Sequence, residues 1–366
     1  MKNKVIYNES VSNISNRNKI RKSGRGLCLD DVFLKESMKI NWKKERAMFV
    51  KIKGTGSCLP EKVLDNFEIS QLVDTNDEWI QSRTGIASRH IVGEETAVSM
   101  AVEAAKRALE DAGITAEEID LLIVSSVSSE QLLPCTACSV QKELGAVNAV
   151  AFDLNAACSG FIVAYQMAVG QIKAGLSKKA LLIGVECLSN IVNWKDRGTC
   201  ILFGDGAGAA VVSADGEAEI EIASVLHSDG SRGEVLTCKN PTGERKDGSR
   251  EGYVAMDGRE IYKFAVRQVP LVIKEILEKA DKSVEEIDLF VLHQANKRIV
   301  EAIAKRLKQP IEKFPMDMMH NGNMSSASIP VLLDELKHDK KLKPGMKIVV
   351  AGFGAGLTWG GMYLEW

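Results

Sequence analysis

From Phe49 to the C-terminus, short apolar runs alternate with segments in which apolar residues recur every three to four positions. The helical period runs over residues 98–112 and stops at Gly113, and residues 121–124 form a continuous apolar run of strand length. A strand that is apolar on both faces must be covered on both sides, so the alternation predicts an α/β protein with largely buried sheets. Further strands are read at 48–52, 209–212 and 289–292. Across 152–165 an apolar lead-in passes into small residues, a cysteine and a helical pattern, which reads as strand, tight turn and helix with Cys158 in the turn.

The pattern also repeats. Glu117-Glu118-Ile119-Asp120-Leu121-Leu122-Ile123-Val124 recurs as Glu285-Glu286-Ile287-Asp288-Leu289-Phe290-Val291-Leu292, an offset of 168 residues. The preceding helices match at the same offset, Lys106 with Lys274, Leu109 with Leu277, Glu110 with Glu278 and Ala112 with Ala280. Carried forward from Phe49, the offset starts a second half near Glu217, after a run of small and acidic residues. The expectation is two similar α/β halves, 48–216 and 217–366, with Gly206-Ala207-Gly208-Ala209 echoed by Gly354-Ala355-Gly356-Leu357. In a duplicated fold the site tends to form where the halves meet, because each offers equivalent loops to one crevice.

Composition narrows the classes. With 45% apolar and 26% charged residues the chain is ordinary for a soluble globular protein, and its formal net charge of -2 argues against a nucleic-acid binder. No apolar run reaches membrane-spanning length and no secretory h-region opens the chain, which points to a cytoplasmic protein that does not bind membranes. Eight cysteines scattered through such a chain read as reduced thiols. Cys135 and Cys138 have the spacing of half a zinc site or a redox motif, but no second such pair follows and no histidine is near, so no metal is assigned. Residues 1–47, rich in Asn, Ser, Lys and Arg, read as a disordered tail or an over-long start; a basic arm touching nucleic acid or an anionic surface is the functional alternative.

A thiol at the start of a helix meets unpaired N–H groups and the helix dipole, both of which favour the thiolate. Cys158 is therefore a candidate nucleophile, the bland alternative being a small buried hydrophobe. His293 ends the strand at 289–292 and precedes a helix, the same strand-to-helix position in its own unit. The polar, glycine-containing loop His320-Asn321-Gly322-Asn323-Met324-Ser325-Ser326-Ala327-Ser328 leads into an apolar helix and is a third candidate, the bland alternative being a helix cap. Gly204-Asp205-Gly206-Ala207-Gly208 looks like a dinucleotide fingerprint, but a strand follows where that motif needs a helix, so no cofactor is placed there. The loop 352–360 is glycine-rich enough to bring backbone N–H donors close to a reacting oxygen. Cys, His and Asn in that order also suit a papain-like hydrolase, yet the Cys-Gly-x-Cys-Trp signature is absent.

Taken together, Gly54-Thr55-Gly56, Asp77-Glu78-Trp79-Ile80, Arg83-Thr84-Gly85-Ile86, Ala156-Ala157-Cys158-Ser159-Gly160, Asp196-Arg197-Gly198-Thr199, Phe203-Gly204-Asp205-Gly206-Ala207-Gly208, His293-Gln294-Ala295-Asn296, Gly322-Asn323 and Gly356-Leu357-Thr358-Trp359-Gly360 resemble 3-oxoacyl-(acyl-carrier-protein) synthase III from about residue 48 onward. The resemblance implies the thiolase-like fold, two pseudo-symmetric halves layered αβαβα, and a homodimer. It implies a decarboxylating Claisen condensation of a short acyl-CoA with malonyl-acyl carrier protein, without a cofactor. Cys158 would carry the acyl group, His293 and Asn323 would hold the malonyl thioester oxygen, and the backbone N–H groups of Cys158 and Ala355 would form an oxyanion hole. Trp79, Arg83 and Arg197 would bind CoA, and Lys297, Arg298, Lys305 and Arg306 on one helix would meet the acidic carrier. Met324 and Ala355 depart from the family's usual threonine and glycine. Leu133 stands where the family often has an aromatic residue reaching into the partner's acyl pocket, so the primer is left open. Two rivals keep the fold: a relative that uses malonyl-CoA in secondary-product synthesis, and an inactive acyl-CoA-binding protein.

Overall fold

A computed structural model describes residues 50–214, 223–239 and 252–366. The expected tail over 1–47, the first two residues of the opening strand and the boundary between halves at 216/217 lie outside the described residues. The strands β1 (Lys51–Cys58), β2 (Leu121–Ser125), β3 (Val150–Leu154), β4 (Lys179–Glu186) and β5 (Gly206–Ser213) form one sheet in the order β1-β5-β4-β2-β3. A second sheet has the order β7-β8-β9-β6, from β6 (Ser224–Ser228), β7 (Leu289–Leu292), β8 (Lys347–Gly354) and β9 (Thr358–Glu365).

Read from the opposite edge, the second sheet repeats the first. Strands β1, β5, β4 and β2 pair antiparallel, antiparallel and parallel in turn, and so do β6, β9, β8 and β7. The offset of 168 residues carries β4 onto β8 along its whole length. It also carries the helical turn at Ala157–Ser159 onto that at Ser325–Ala327, and Ala157 (φ 47°) onto Ser325 (φ 46°), two non-glycine residues in the left-handed region. The glycine echo is not part of this equivalence. Gly206 to Ala209 open β5, whose counterpart β9 begins at Thr358, whereas Gly354 to Leu357 end β8 and cross the turn before it. The likeness there is of composition, since both stretches need small residues for close packing.

The helices that matter are α1 (Asp77–Thr84), α2 (Ala97–Ala112), α3 (Thr136–Leu144), α4 (Gly160–Lys173), α5 (Gly258–Lys279), α6 (Lys297–Leu307) and α7 (Ser328–His338). Helix α2 shows how the local signals act. Thr96 and Ser99 cap its first turn reciprocally at 3.0 and 2.9 Å, and Gly113 ends it with φ 67°. Alternation within the buried strands explains the layering: Leu121 and Ile123 of β2 face the core that holds α4 and α7, while Leu122 and Val124 face α2 and α3. In β8, Ile348 and Val350 face that same central core, whereas Val349, Ala351 and Phe353 face α5 and α6. Helix, sheet, helix, sheet and helix layers follow, with α4 and α7 sandwiched in the middle. Both central helices begin at the turns that carry the candidate chemistry.

Candidate active site

Strand β3 ends at Leu154, the single turn Ala157–Ser159 follows, and α4 starts at Gly160. Cys158 sits in that turn and is 8% exposed. The expectation of a thiolate fails here. Burial pushes the Cys158 thiol up to about 12, although the Ser325 hydroxyl leans on it and lowers it; the buried Glu186 carboxyl raises it again. Withdrawal from water outweighs the helix start, and the Ser325 hydroxyl makes no well-aligned hydrogen bond among the described residues. A thiol in this state needs a base before it can attack.

His293 follows β7, its backbone N–H donating to Ala351 O at 2.9 Å. Its ring meets Phe353 edge to face at 5.5 Å, and Nδ1 lies 2.7 Å from Ser328 Oγ. Burial draws its pKa down to about 3, so the imidazole is neutral at physiological pH. Strand β8 brings it to the cysteine. Gly352 and Gly354 point to the central layer, and a Cβ placed on each would lie 3.2 Å from His293 Cβ and 3.2 Å from Cys158 Cβ respectively. Cysteine and histidine thus lean on one face of one strand two residues apart, and glycine at both positions makes the room.

Asn323 is 7% exposed and is bound to the first half through a parallel bridge, with N–H to Leu202 O at 2.9 Å and O from Gly204 N–H at 3.1 Å. Its Oδ1 accepts from Ser325 N–H at 2.9 Å, which commits the oxygen to its own loop and leaves the amide N–H group to donate outward. The turn between β8 and β9 is fastened to the nucleophile turn. Thr358 Oγ1 donates to Ala355 O at 3.0 Å and lies 3.1 Å from Ser159 Oγ. The structure therefore gathers the turns that carry Cys158, His293, Asn323 and Ala355 around the start of α4.

Trp79, Arg83 and Arg197 also come together. Asn76 caps α1 at Trp79 N–H (2.8 Å), and the guanidinium carbons of Arg197 and Arg83 lie 4.9 and 5.9 Å from the half-buried indole. The basic residues of α6 are exposed but partly engaged: Arg298 stacks over Tyr262 at 5.7 Å, Arg306 donates to Val266 O at 2.9 Å and Lys297 lies 3.9 Å from Glu301. Lys305 shares the exposed face with them. Leu133 is 86% exposed beside Leu132 at 68%. The sulfurs of Cys135 and Cys138 are 3.4 Å apart, and among the described residues no group of three or more His, Cys, Asp or Glu side chains could hold a metal ion. No helix among the described residues is long and apolar enough to cross a membrane. Of the residues buried around the thiol and imidazole, sequence reasoning missed Glu186, and it held Ser328 only as the end of the polar loop and Phe353 only as a member of the glycine-rich loop, with no role for either side chain. Extending the repeat by single positions would have drawn attention to Ser328.

Comparison with known proteins gives the family. The family model described as 3-Oxoacyl-[acyl-carrier-protein (ACP)] synthase III matches residues 152–230, and its C-terminal counterpart matches 277–366. The chain is 47% identical over 322 residues to the beta-ketoacyl-[acyl-carrier-protein] synthase III of Clostridium acetobutylicum, covering 87% of this chain and 98% of that one. The crystal structure of the Aquifex aeolicus 3-oxoacyl-[acyl-carrier-protein] synthase III superposes with a TM-score of 0.82 at 45% identity, covering 87% of this chain and all of the other (100%). The priming beta-ketosynthase of the R1128 polyketide pathway superposes at 0.83 with 35% identity, over 89% and 98% of the two chains. On these matches and on the layered fold described above, the chain belongs to the 3-oxoacyl-[acyl-carrier-protein] synthase III family.

Proposed function

We propose that the chain starts fatty-acid synthesis, condensing a short acyl-CoA with malonyl-acyl carrier protein through an acyl thioester on Cys158. The observation that carries this reading is the shared face of β8, where glycines seat Cys158 and His293 two residues apart. Burial raises the thiol and lowers the imidazole, so the two face each other neutral at pH 7, and His293 is the base that takes the thiol proton as the sulfur attacks the acyl-CoA carbonyl. Backbone N–H groups of Cys158 and Ala355 hold the developing oxyanion. In the second half-reaction the malonyl thioester oxygen rests between His293 and the Asn323 amide, and loss of carbon dioxide leaves an enolate that attacks the acyl-Cys158 carbonyl. No cofactor enters either step.

Trp79, flanked by Arg197 and Arg83, receives the adenine of CoA. Lys297, Arg298, Lys305 and Arg306 offer positive charge to the carrier protein. Among the described residues the edge strand β3 is unpaired on one side and exposes Val150 (66%), and with the outward Leu133 it supports a homodimer that shares its acyl pocket. The enzyme acts in the cytoplasm. A second reading, with malonyl-CoA as acceptor for a secondary product, draws on the 35% identity to the priming ketosynthase and on the engagement of Arg298 and Arg306 with helix α5.

Intact-mass spectrometry after mixing with a panel of acyl-CoAs tests the proposal. An adduct on Cys158 that is lost in Cys158→Ser supports catalysis, whereas no adduct with any primer leaves only an acyl-CoA-binding relative. Turnover with malonyl-CoA equal to that with malonyl-carrier protein would transfer the choice to the second reading.

A further inference from the structure

The internal repeat points to a residue that the proposed site has not used. At the offset of 168 residues His293 falls on Ser125, and Ser328 falls on Gly160. In the first half a Cβ at position 160 would come within 1.8 Å of Ser125 Oγ, so only glycine fits, and that hydroxyl has no hydrogen-bond partner among the described residues. In the second half both members differ together. The imidazole of His293 meets the hydroxyl of Ser328 at 2.7 Å, and Ser328 is wholly buried at the first turn of α7. Whatever the histidine does, it does with that hydroxyl attached.

A hydroxyl has one proton to give and two lone pairs to receive. Three groups surround Ser328 Oγ: the Ser325 carbonyl at 2.9 Å, which can only accept; the Gln294 backbone N–H at 3.4 Å, which can only donate; and His293 Nδ1, which can do either. If the proton goes to Ser325 O, Nδ1 must carry hydrogen and all three contacts are hydrogen bonds. If it goes to Nδ1, the Ser325 carbonyl keeps only the Ser328 backbone N–H and one bond is lost. The first arrangement is favoured by about one net hydrogen bond.

We infer that Ser328 is a positioning residue that holds His293 with its proton on Nδ1, leaving Nε2 bare for the Cys158 thiol. The inference rests on the proposed function for what Nε2 then does. In acyl transfer the Cys158 S–H bond breaks and its proton goes to Nε2; the sulfur–acyl bond forms as the acyl–sulfur bond of CoA breaks, and CoA leaves as its thiolate. In condensation the protonated Nε2 donates to the thioester oxygen. The carbon–carbon bond then forms, the acyl–Cys158 bond breaks, and the proton returns to the departing cysteine sulfur. The donor role that the family resemblance gives His293 is thereby created by the first half-reaction.

Two-bond nitrogen–proton correlation spectra of the full chain labelled with 15N-histidine, with His293→Gln for assignment, test this at pH 7. The expected result is hydrogen on Nδ1 of His293 in the native chain, and hydrogen largely on Nε2 in Ser328→Ala. Ser328→Gly reproduces the first-half residue and serves if the alanine variant does not fold. Rapid-quench mass spectrometry should show the variant's acyl-transfer rate down about tenfold at unchanged primer KM, the size of one net hydrogen bond. Hydrogen on Nε2 in the native chain overturns the inference, and so does a variant that is slow without any change of tautomer. The spectrum needs no turnover, so absence of an acyl adduct would defeat the proposed function and leave the tautomer assignment to be judged separately.

Discussion

Gly354→Ala should slow acylation of Cys158 by one to two orders of magnitude while costing about 1–3 kcal/mol of stability. The added Cβ would lie 2.8 Å from Cys158 N and 3.2 Å from both Cys158 Cβ and Ser159 N, against an ordinary contact of 3.4 Å or more. These are atoms of the nucleophile turn itself, with no flexible side-chain end to swing aside, so something must yield by about 0.6 Å. Strand β8 is poorly able to yield, being paired with β9 through Gly354 and Thr358, so the turn that carries the thiol moves. A misplacement approaching 1 Å costs up to about a hundredfold in rate, and here it also displaces the N–H proposed for the oxyanion hole. Rapid-quench intact-mass measurement at saturating acyl-CoA gives the rate, and thermal unfolding of the same sample gives the stability. Gly352→Ala is the comparison: its Cβ meets a methyl end of Ile162 at 3.1 Å and His293 Cβ at 3.2 Å, so the effect should be milder. A folded Gly354→Ala chain that acylates at the native rate would refute the placement of Cys158 against this strand.

Three further outcomes are expected. Trp79→Ala should raise the KM for acyl-CoA roughly tenfold or more with kcat little changed, since stacking of a base on an aromatic ring is worth about 1–3 kcal/mol; steady-state kinetics with malonyl-carrier held saturating would show it. Arg298→Glu should raise the KM for malonyl-carrier protein and leave that for acyl-CoA alone, with the difference shrinking as salt is added. Asp317, buried near Glu335 and hydrogen-bonded by Asn321 at 3.2 Å, has its carboxyl pushed up to about 8 by burial and then by the Glu335 charge. Its pKa is raised on folding, so the stability it contributes is full below the ordinary carboxylate value of 3.8 and is lost as pH rises to about 8. The melting temperature of the native chain should therefore fall relative to Asp317→Asn between pH 4 and 8, and parallel curves would contradict that linkage.

Much of the fold can be read along the chain because buried parallel strands must be apolar on both faces, and residues 121–124 and 289–292 are. The duplication is legible for the same reason: matching strands and helices repeat their register, and the offset found in a single octapeptide later carries β4 onto β8. Cys158 and His293 are likewise visible as residues between a strand and a helix, whereas Asn323 stands out only as part of a polar loop before a helix and takes its place beside them from the family resemblance. What escapes is whatever depends on atoms distant in sequence. The state of the thiol is one case. A helix start argues for thiolate, but Cys158 is closed in by Gly354, Ser325 and Glu186, and the loss of water prevails over the local field. Ser328 is another, 35 residues from the histidine it touches and indistinguishable in sequence from a helix cap. The glycine echo errs in the opposite sense, because small residues recur wherever backbones pack closely and carry no register. These outcomes share a cause: local pattern reports which face of an element is covered, whereas protonation and tautomer follow from what covers it. In a duplicated fold that second kind of information can still be recovered. The two halves present the same backbone, so positions where they differ in concert, Ser125 and Gly160 against His293 and Ser328, mark where one copy was given chemistry that the other lacks.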